Sequence, residues 1–123
     1  MRAAVSKALA GKRVVVVDDT AIIRLDVENT LREAGARITR SFENGADAAV
    51  LDVGAGSLSI AQALAERKIP FLFYTGLPFD ALTQIRERWP GCKIISKPAG
   101  REVIVAAVAD LVRQTQSSIG LVY

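Results

Sequence analysis

Four short apolar runs in this chain each stop at a polar residue of the kind that does chemistry. Val14 to Val17 stops at Asp18-Asp19, Ala48 to Leu51 at Asp52, Phe71 to Tyr74 at Thr75, and Ile94-Ile95-Ser96 at Lys97-Pro98. Runs this short and this apolar are strands buried on both faces, as in a parallel sheet. In such a sheet the carboxyl ends of neighbouring strands converge on one crevice, where open α/β folds take their ligands. The pattern predicts three carboxylates, a hydroxyl and an ammonium meeting at one sheet edge.

Between the runs the apolar spacing changes to that of helices, the rhythm of βα units. From Thr20 to Ala34, Ile23, Val27, Leu31 and Ala34 fall on one helical face, and Gly35 suits the residue just past the helix end. Ala36 to Arg40 reads as a weak strand. Ser57 is expected to cap a helix to about Arg67, with Leu58, Ala61, Leu64 and Ala65 facing inward. Pro78 or Phe79 to Trp89 is expected to be a helix on the spacing of Leu82, Ile85 and Trp89, stopped by Pro90-Gly91. Arg101 to about Gln114 is a further helix through Ile104, Val108, Leu111 and Val112, its apolar face widened by Val103, Val105, Ala106 and Ala107.

The 123 residues make one domain, large enough for a core without cross-links. We read 1–10 as an N-terminal extension, 11–116 as the folded unit and 117–123 as a loosely ordered tail. The single cysteine, Cys92, excludes a disulfide framework and fits a reducing cytoplasm. The absence of histidine removes imidazole acid–base catalysis, imidazole metal ligation and a phosphohistidine of the chain's own. Residues 1–10 lack the apolar core of a secretory signal, and no stretch approaches the roughly 20 apolar residues of a membrane span. No membrane insertion is therefore expected. The formal charge of +3 is small and dispersed, so no direct nucleic-acid binding is expected either.

The chemistry of the strand ends is that of phosphoryl groups around a divalent cation. Mg²⁺ takes oxygen ligands, typically one or two carboxylates with water and phosphate oxygens. Asp18 and Asp19 supply such charge, with Asp52 beside them on the neighbouring strand. A carboxylate also serves as a nucleophile forming an aspartyl phosphate. The Lys97 ammonium and the Thr75 hydroxyl suit the charge and oxygens of that group.

The segments "VVVVDD", "AAVLD", "FLFYTG" and "IISKP", in this order over almost the whole chain, resemble the CheY-like receiver domain of two-component response regulators. The resemblance implies an α/β, flavodoxin-like doubly wound parallel sheet of five strands in the order 2-1-3-4-5. It implies Mg²⁺ on Asp18, Asp19, Asp52 and the backbone carbonyl of Gly54. Asp52 would be the phosphoacceptor, Thr75 the switch hydroxyl and Lys97 the phosphate partner, with a cis bond between Lys97 and Pro98. The implied role is that of a stand-alone receiver in a phosphorelay. It would take phosphate from a histidine kinase or histidine phosphotransfer protein and signal to a downstream protein target. Such a domain phosphorylates itself and hydrolyses the product without being a turnover enzyme. "FYTGL" is also close to the F-x-T-G stretch of a stand-alone receiver subgroup, with Pro78 where that subgroup has tyrosine.

The sequence departs from this pattern at three places. After the first helix only Ala36 to Leu51 remain before Asp52, room for two strands and a turn. "SFENGAD" has turn chemistry and is too short for a stable helix, so the second helix of the family is expected to be missing or reduced. Its loss is expected to uncover apolar sheet surface for another protomer, in a homodimer, for the N-terminal extension or for a partner. The loop "VGAGS" after Asp52 lacks an apolar-Pro step, and Ile94 stands where receivers often carry a switching aromatic. That shifts any switch to Thr75 and the Gly76-Leu77 loop. Two alternatives accompany this reading. One is a phosphorylation-independent interaction module on a receiver scaffold. The other is an S-adenosylmethionine-binding methyltransferase-like fragment, in which Asp52, Gly54 and Gly56 fit D-x-G-x-G-x-G but Leu58 replaces the third glycine. No G-x-x-x-x-G-K-[ST] nucleotide loop is present.

Overall fold

Strand formation follows the β-branched and aromatic runs. In a computed structural model, which describes residues 8–43, 45–54 and 56–121 with side chains of the last helix as far as Arg113, these runs form β1 (Arg13–Val17), β3 (Ala48–Leu51), β4 (Phe71–Thr75) and β5 (Ile94–Ser96). A two-residue β2 (Arg37–Ile38) completes a parallel five-stranded sheet ordered β2-β1-β3-β4-β5. The expected Ala36–Arg40 strand is shorter because β2 is an edge strand, and its end turns away through Thr39. The Thr39 hydroxyl donates to the Ser41 carbonyl at 2.8 Å and accepts from the Ser41 N–H at 3.3 Å.

Helices cover both faces of the sheet. Helix α1 (Ala21–Glu33) and α4 (Arg101–Leu121) pack Val27, Leu31, Ile104, Val108 and Leu111 against Val14, Val16, Val50 and Leu72. Helix α2 (Ser57–Glu66) and a 3₁₀ turn (Phe79–Leu82) that runs into α3 (Thr83–Arg88) pack Ala61, Leu64, Leu82 and Ile85 against Val15, Ala49, Leu51 and Phe73. Fully burying a side chain of this size contributes about 1.5–3 kcal/mol. Ala65, expected to face inward, is exposed. Ser57 is the first residue of α2 rather than its cap; Gly56, at φ 83°, is the cap.

The chain ends differ from the sequence expectations. Residues 1–7 lie outside the described residues, but the rest of the expected extension belongs to the core. Leu9 is wholly buried, and its N–H donates to the Ala34 carbonyl at 2.8 Å. At the other end α4 continues to Leu121, through most of the expected tail; residues 122–123 lie outside the described residues.

Among the described residues between Ile38 and Ala48 there is no helix, so the second helix expected from the family is absent. Among the described residues no large apolar side chain of β2 or of the 39–47 connection is exposed. Arg13 and Arg37 stand in register on the sheet edge there. Phe42 and Ala46 pack onto the neighbouring core, and the Arg67 guanidinium lies 5.2 Å from the Phe42 ring centroid. Gly45, at φ 95°, lets the loop pass against the Arg13 guanidinium, where a Cβ would come within 3.2 Å of Nη2. Among the described residues the exposed large apolar side chains, Ile22, Leu25, Leu77, Phe79 and Val103, lie elsewhere.

Candidate phosphoryl site

Register brings the strand ends level. Val17 pairs with Leu51, Leu51 with Phe73, and Thr75 with Ser96. The Asp52 N–H donates to the Val17 carbonyl and the Lys97 N–H to the Thr75 carbonyl, each at 2.8 Å. The polar residue after each apolar run thus starts from an anchored backbone at the same sheet edge.

Lys97 is the centre of the cluster. Its Nζ lies 2.9 Å from Asp18 Oδ2 and 3.1 Å from Asp52 Oδ1. Burial by itself pulls the Lys97 pKa down, but the hydrogen bonds to both carboxylates and their charges outweigh it and hold the pKa above the ordinary lysine value. The second oxygen of Asp18 accepts the Thr20 N–H at 2.8 Å, so each oxygen of this buried carboxylate has a hydrogen-bond partner. Asp19 is exposed, and its Oδ2 stands 3.6 Å from where a Gly54 Cβ would lie. Thr75 is buried, with its hydroxyl accepting the Leu77 N–H at 3.1 Å. That hydroxyl keeps its own proton for donation but is hydrogen-bonded to its own loop rather than to Asp52 or Lys97.

Three carboxylates against one ammonium leave a net negative charge, which suits a divalent cation. Among the described residues no three potential metal-ligating side chains stand gathered around one point, and the Lys97 ammonium lies between two of the carboxylates. Asp19 and the free oxygen of Asp52 are the ligands most open to a cation. The Gly54 carbonyl, also expected as a ligand, already accepts from Ser57 N at 3.1 Å and Ser57 Oγ at 2.9 Å.

Two residues that support the site escaped the sequence reading. Ser57 braces the loop after Asp52, because its hydroxyl also accepts the Gly54 N–H at 3.1 Å. The Tyr74 hydroxyl accepts the Ala99 N–H at 3.0 Å, holding the chain just after the cis Lys97–Pro98 bond, and the Tyr74 ring centroid is 5.6 Å from Lys97 Nζ. A serine three residues after Gly54 and a single tyrosine within an apolar strand were the available signals.

The sequence matches no model of a protein family and no curated protein. Solved structures do match the fold. The response regulator PhyR from Brucella abortus superposes with a TM-score of 0.75 at 20% identity, over 97% of this chain and 54% of its own. The chain thus spans about half of PhyR. The receiver domain of the Francisella response regulator 1452 gives 0.69 at 20% identity, over 85% of this chain and 99% of that domain. The BeF₃-activated receiver domain of DrrB gives 0.67 at 20% identity, over 83% and 97%. The chain has the receiver fold. Its five-stranded order is that of the fold, and the receiver expectation from the sequence holds at this level, with one helix lost from the standard set. Among the described residues no helix of this receiver fold is long and apolar enough to cross a membrane.

Proposed function

We propose that this chain is a response-regulator receiver that accepts a phosphoryl group on Asp52 and signals through protein–protein contacts in the cytoplasm. The observation that carries the proposal is the single Lys97 ammonium hydrogen-bonded to both Asp18 and Asp52. A cation there can pair with an incoming phosphoryl oxygen without leaving the site, since it already sits against the acceptor.

The donor would be a phosphohistidine on a histidine kinase or histidine phosphotransfer protein. An Asp52 oxygen forms the new bond to phosphorus. The phosphorus–nitrogen bond breaks, and its electron pair remains on the imidazole nitrogen. Mg²⁺ held by Asp19 and Asp52, with Asp18 behind them, would neutralise charge on the transferring group. Lys97 pairs with the phosphoryl group, and Thr75 donates its free proton to a phosphoryl oxygen. The new group brings about −1.5 to −2 charge, enough to draw Thr75 and the adjoining Gly76-Leu77 loop toward Asp52. That loop carries the signal because Leu77 N–H is tied to the Thr75 hydroxyl.

A small-molecule acyl phosphate with Mg²⁺ should add one phosphate to the intact protein, read by mass. The Asp52→Asn protein should add none. An unchanged adduct in that variant, or no adduct on the parent protein, would overturn the assignment.

A further inference from the structure

Among the described residues three buried polar atoms have no hydrogen-bond partner, and all are on α1: Arg24 Nε, Glu28 Oε1 and Thr30 Oγ1. Arg24 and Glu28 are four apart, so they lie on the same side of the helix one turn from each other. Glu28 is 1% exposed, a burial that carboxylates rarely reach without a paired cation. Arg32 at 3.8 Å and Arg40 at 3.9 Å balance its charge from beyond hydrogen-bonding distance. Arg24 turns toward the strand ends instead, and its Nη1 donates to the main-chain carbonyl of Asp18 at 3.1 Å.

That carbonyl belongs to the peptide joining Asp18 to Asp19. The peptide is planar, so fixing its oxygen also fixes the plane from which the Asp19 backbone and carboxylate depart. Asp18 is otherwise held through its side chain, by Thr20 N–H and Lys97. Asp19 is exposed, and the Arg24 bond reaches it through the backbone. An arginine suits the place because its planar fork turns one nitrogen to the carbonyl while Nε stays beside the helix. Arg24 and Glu28 form no ion pair within 4.0 Å, so the buried charge of Glu28, screened little by salt, acts on the guanidinium from beyond that distance.

We propose that Arg24 is a positioning residue for the acidic loop and that buried Glu28 holds it in that position. The role rests on the reading of Asp18, Asp19 and Asp52 as a phosphoryl site. The test uses the full chain with Arg24→Met, Arg24→Lys, Glu28→Gln and the Met–Gln double variant. For each, the amide resonances of Asp18, Asp19 and Thr20 are recorded without metal, and the Mg²⁺ dissociation constant and acyl-phosphate labelling rate are then measured. Arg24→Met should move those resonances, weaken Mg²⁺ binding about tenfold and slow labelling by a similar factor, the size of one lost charge-assisted hydrogen bond. Arg24→Lys should recover part of the loss. Glu28→Gln should act in the same direction, and in the double variant should add little to Arg24→Met.

Unmoved amide resonances with unchanged Mg²⁺ affinity in folded Arg24→Met would overturn the proposal, whatever its melting temperature. Additive losses in the double variant would overturn the part given to Glu28. Should Arg24→Met not fold, unmoved resonances in both Arg24→Lys and Glu28→Gln would overturn it equally. A parent protein that neither binds Mg²⁺ nor takes phosphate would refute the phosphoryl reading, while the metal-free resonances still decide the role of Arg24.

Discussion

Lys97 sets the charge balance of the strand ends, since one ammonium faces Asp18 and Asp52 together. Lys97→Ala should slow labelling by acyl phosphate at least about tenfold, the loss of one hydrogen bond to a charged group. Mg²⁺ affinity should hold or rise, because two carboxylates lose their resident cation. A parallel loss of Mg²⁺ affinity would contradict this role. The raised Lys97 pKa has a definite sign in stability. The folded chain binds this proton more tightly than the unfolded chain, so the contribution is complete below the unfolded lysine value of about 10.4. It disappears as pH rises through the higher folded value. Denaturant titrations should show an alkaline loss of stability in the parent protein that is smaller in Lys97→Ala; equal slopes would contradict it. The lysine was legible in the sequence because an apolar run ends at Lys-Pro. The Leu77 amide on the Thr75 hydroxyl was not, because that bond depends on how the loop turns.

Helix α1 shows how far an element can be read from its own residues. The spacing of Ile23, Val27, Leu31 and Ala34 placed its buried face, and Gly35 placed its end. The structure adds the reason: Ala36 N–H donates to the Leu31 carbonyl and Gly35 N–H to that of Arg32, closing the helix around a left-handed glycine at φ 100°. A Cβ on Gly35 would also fall 2.9 Å from the Ala10 Cα. Gly35→Ala should therefore cost at least about 2 kcal/mol, more than the left-handed backbone alone. Denaturation showing less than half of that would mean that the 8–11 turn does not press on the helix end. The connection from β2 to β3 was legible only in part. Its length excluded a helix, but Phe42 and Ala46 turning back onto the core did not follow from length. Likewise the expected helix from Phe79 to Trp89 begins as a 3₁₀ turn and stops at Arg88.

The whole molecule closes around Leu9 at one side of the sheet and around the Phe42 loop at the other. Leu9→Ala should lower unfolding free energy by about 3 kcal/mol, the usual result for a fully buried leucine. A change under about 1 kcal/mol would place this residue outside the core. From Leu9 alone the sequence offered no such signal, because its partners, among them Ala34 through its carbonyl, lie far along the chain. What the sequence determined by itself was the local and the periodic: strands from β-branched runs, helices from apolar spacing, and the polar residues at the strand ends. Those features are set by a residue and its near neighbours, and parallel packing then forces the strand ends to one edge. What only the tertiary structure decided was which polar groups pair, Lys97 with two carboxylates, Gly54 with Ser57, Arg24 with the Asp18 carbonyl, and what fills the place of the missing helix. Each of these depends on distances between segments remote in sequence, which no local pattern encodes.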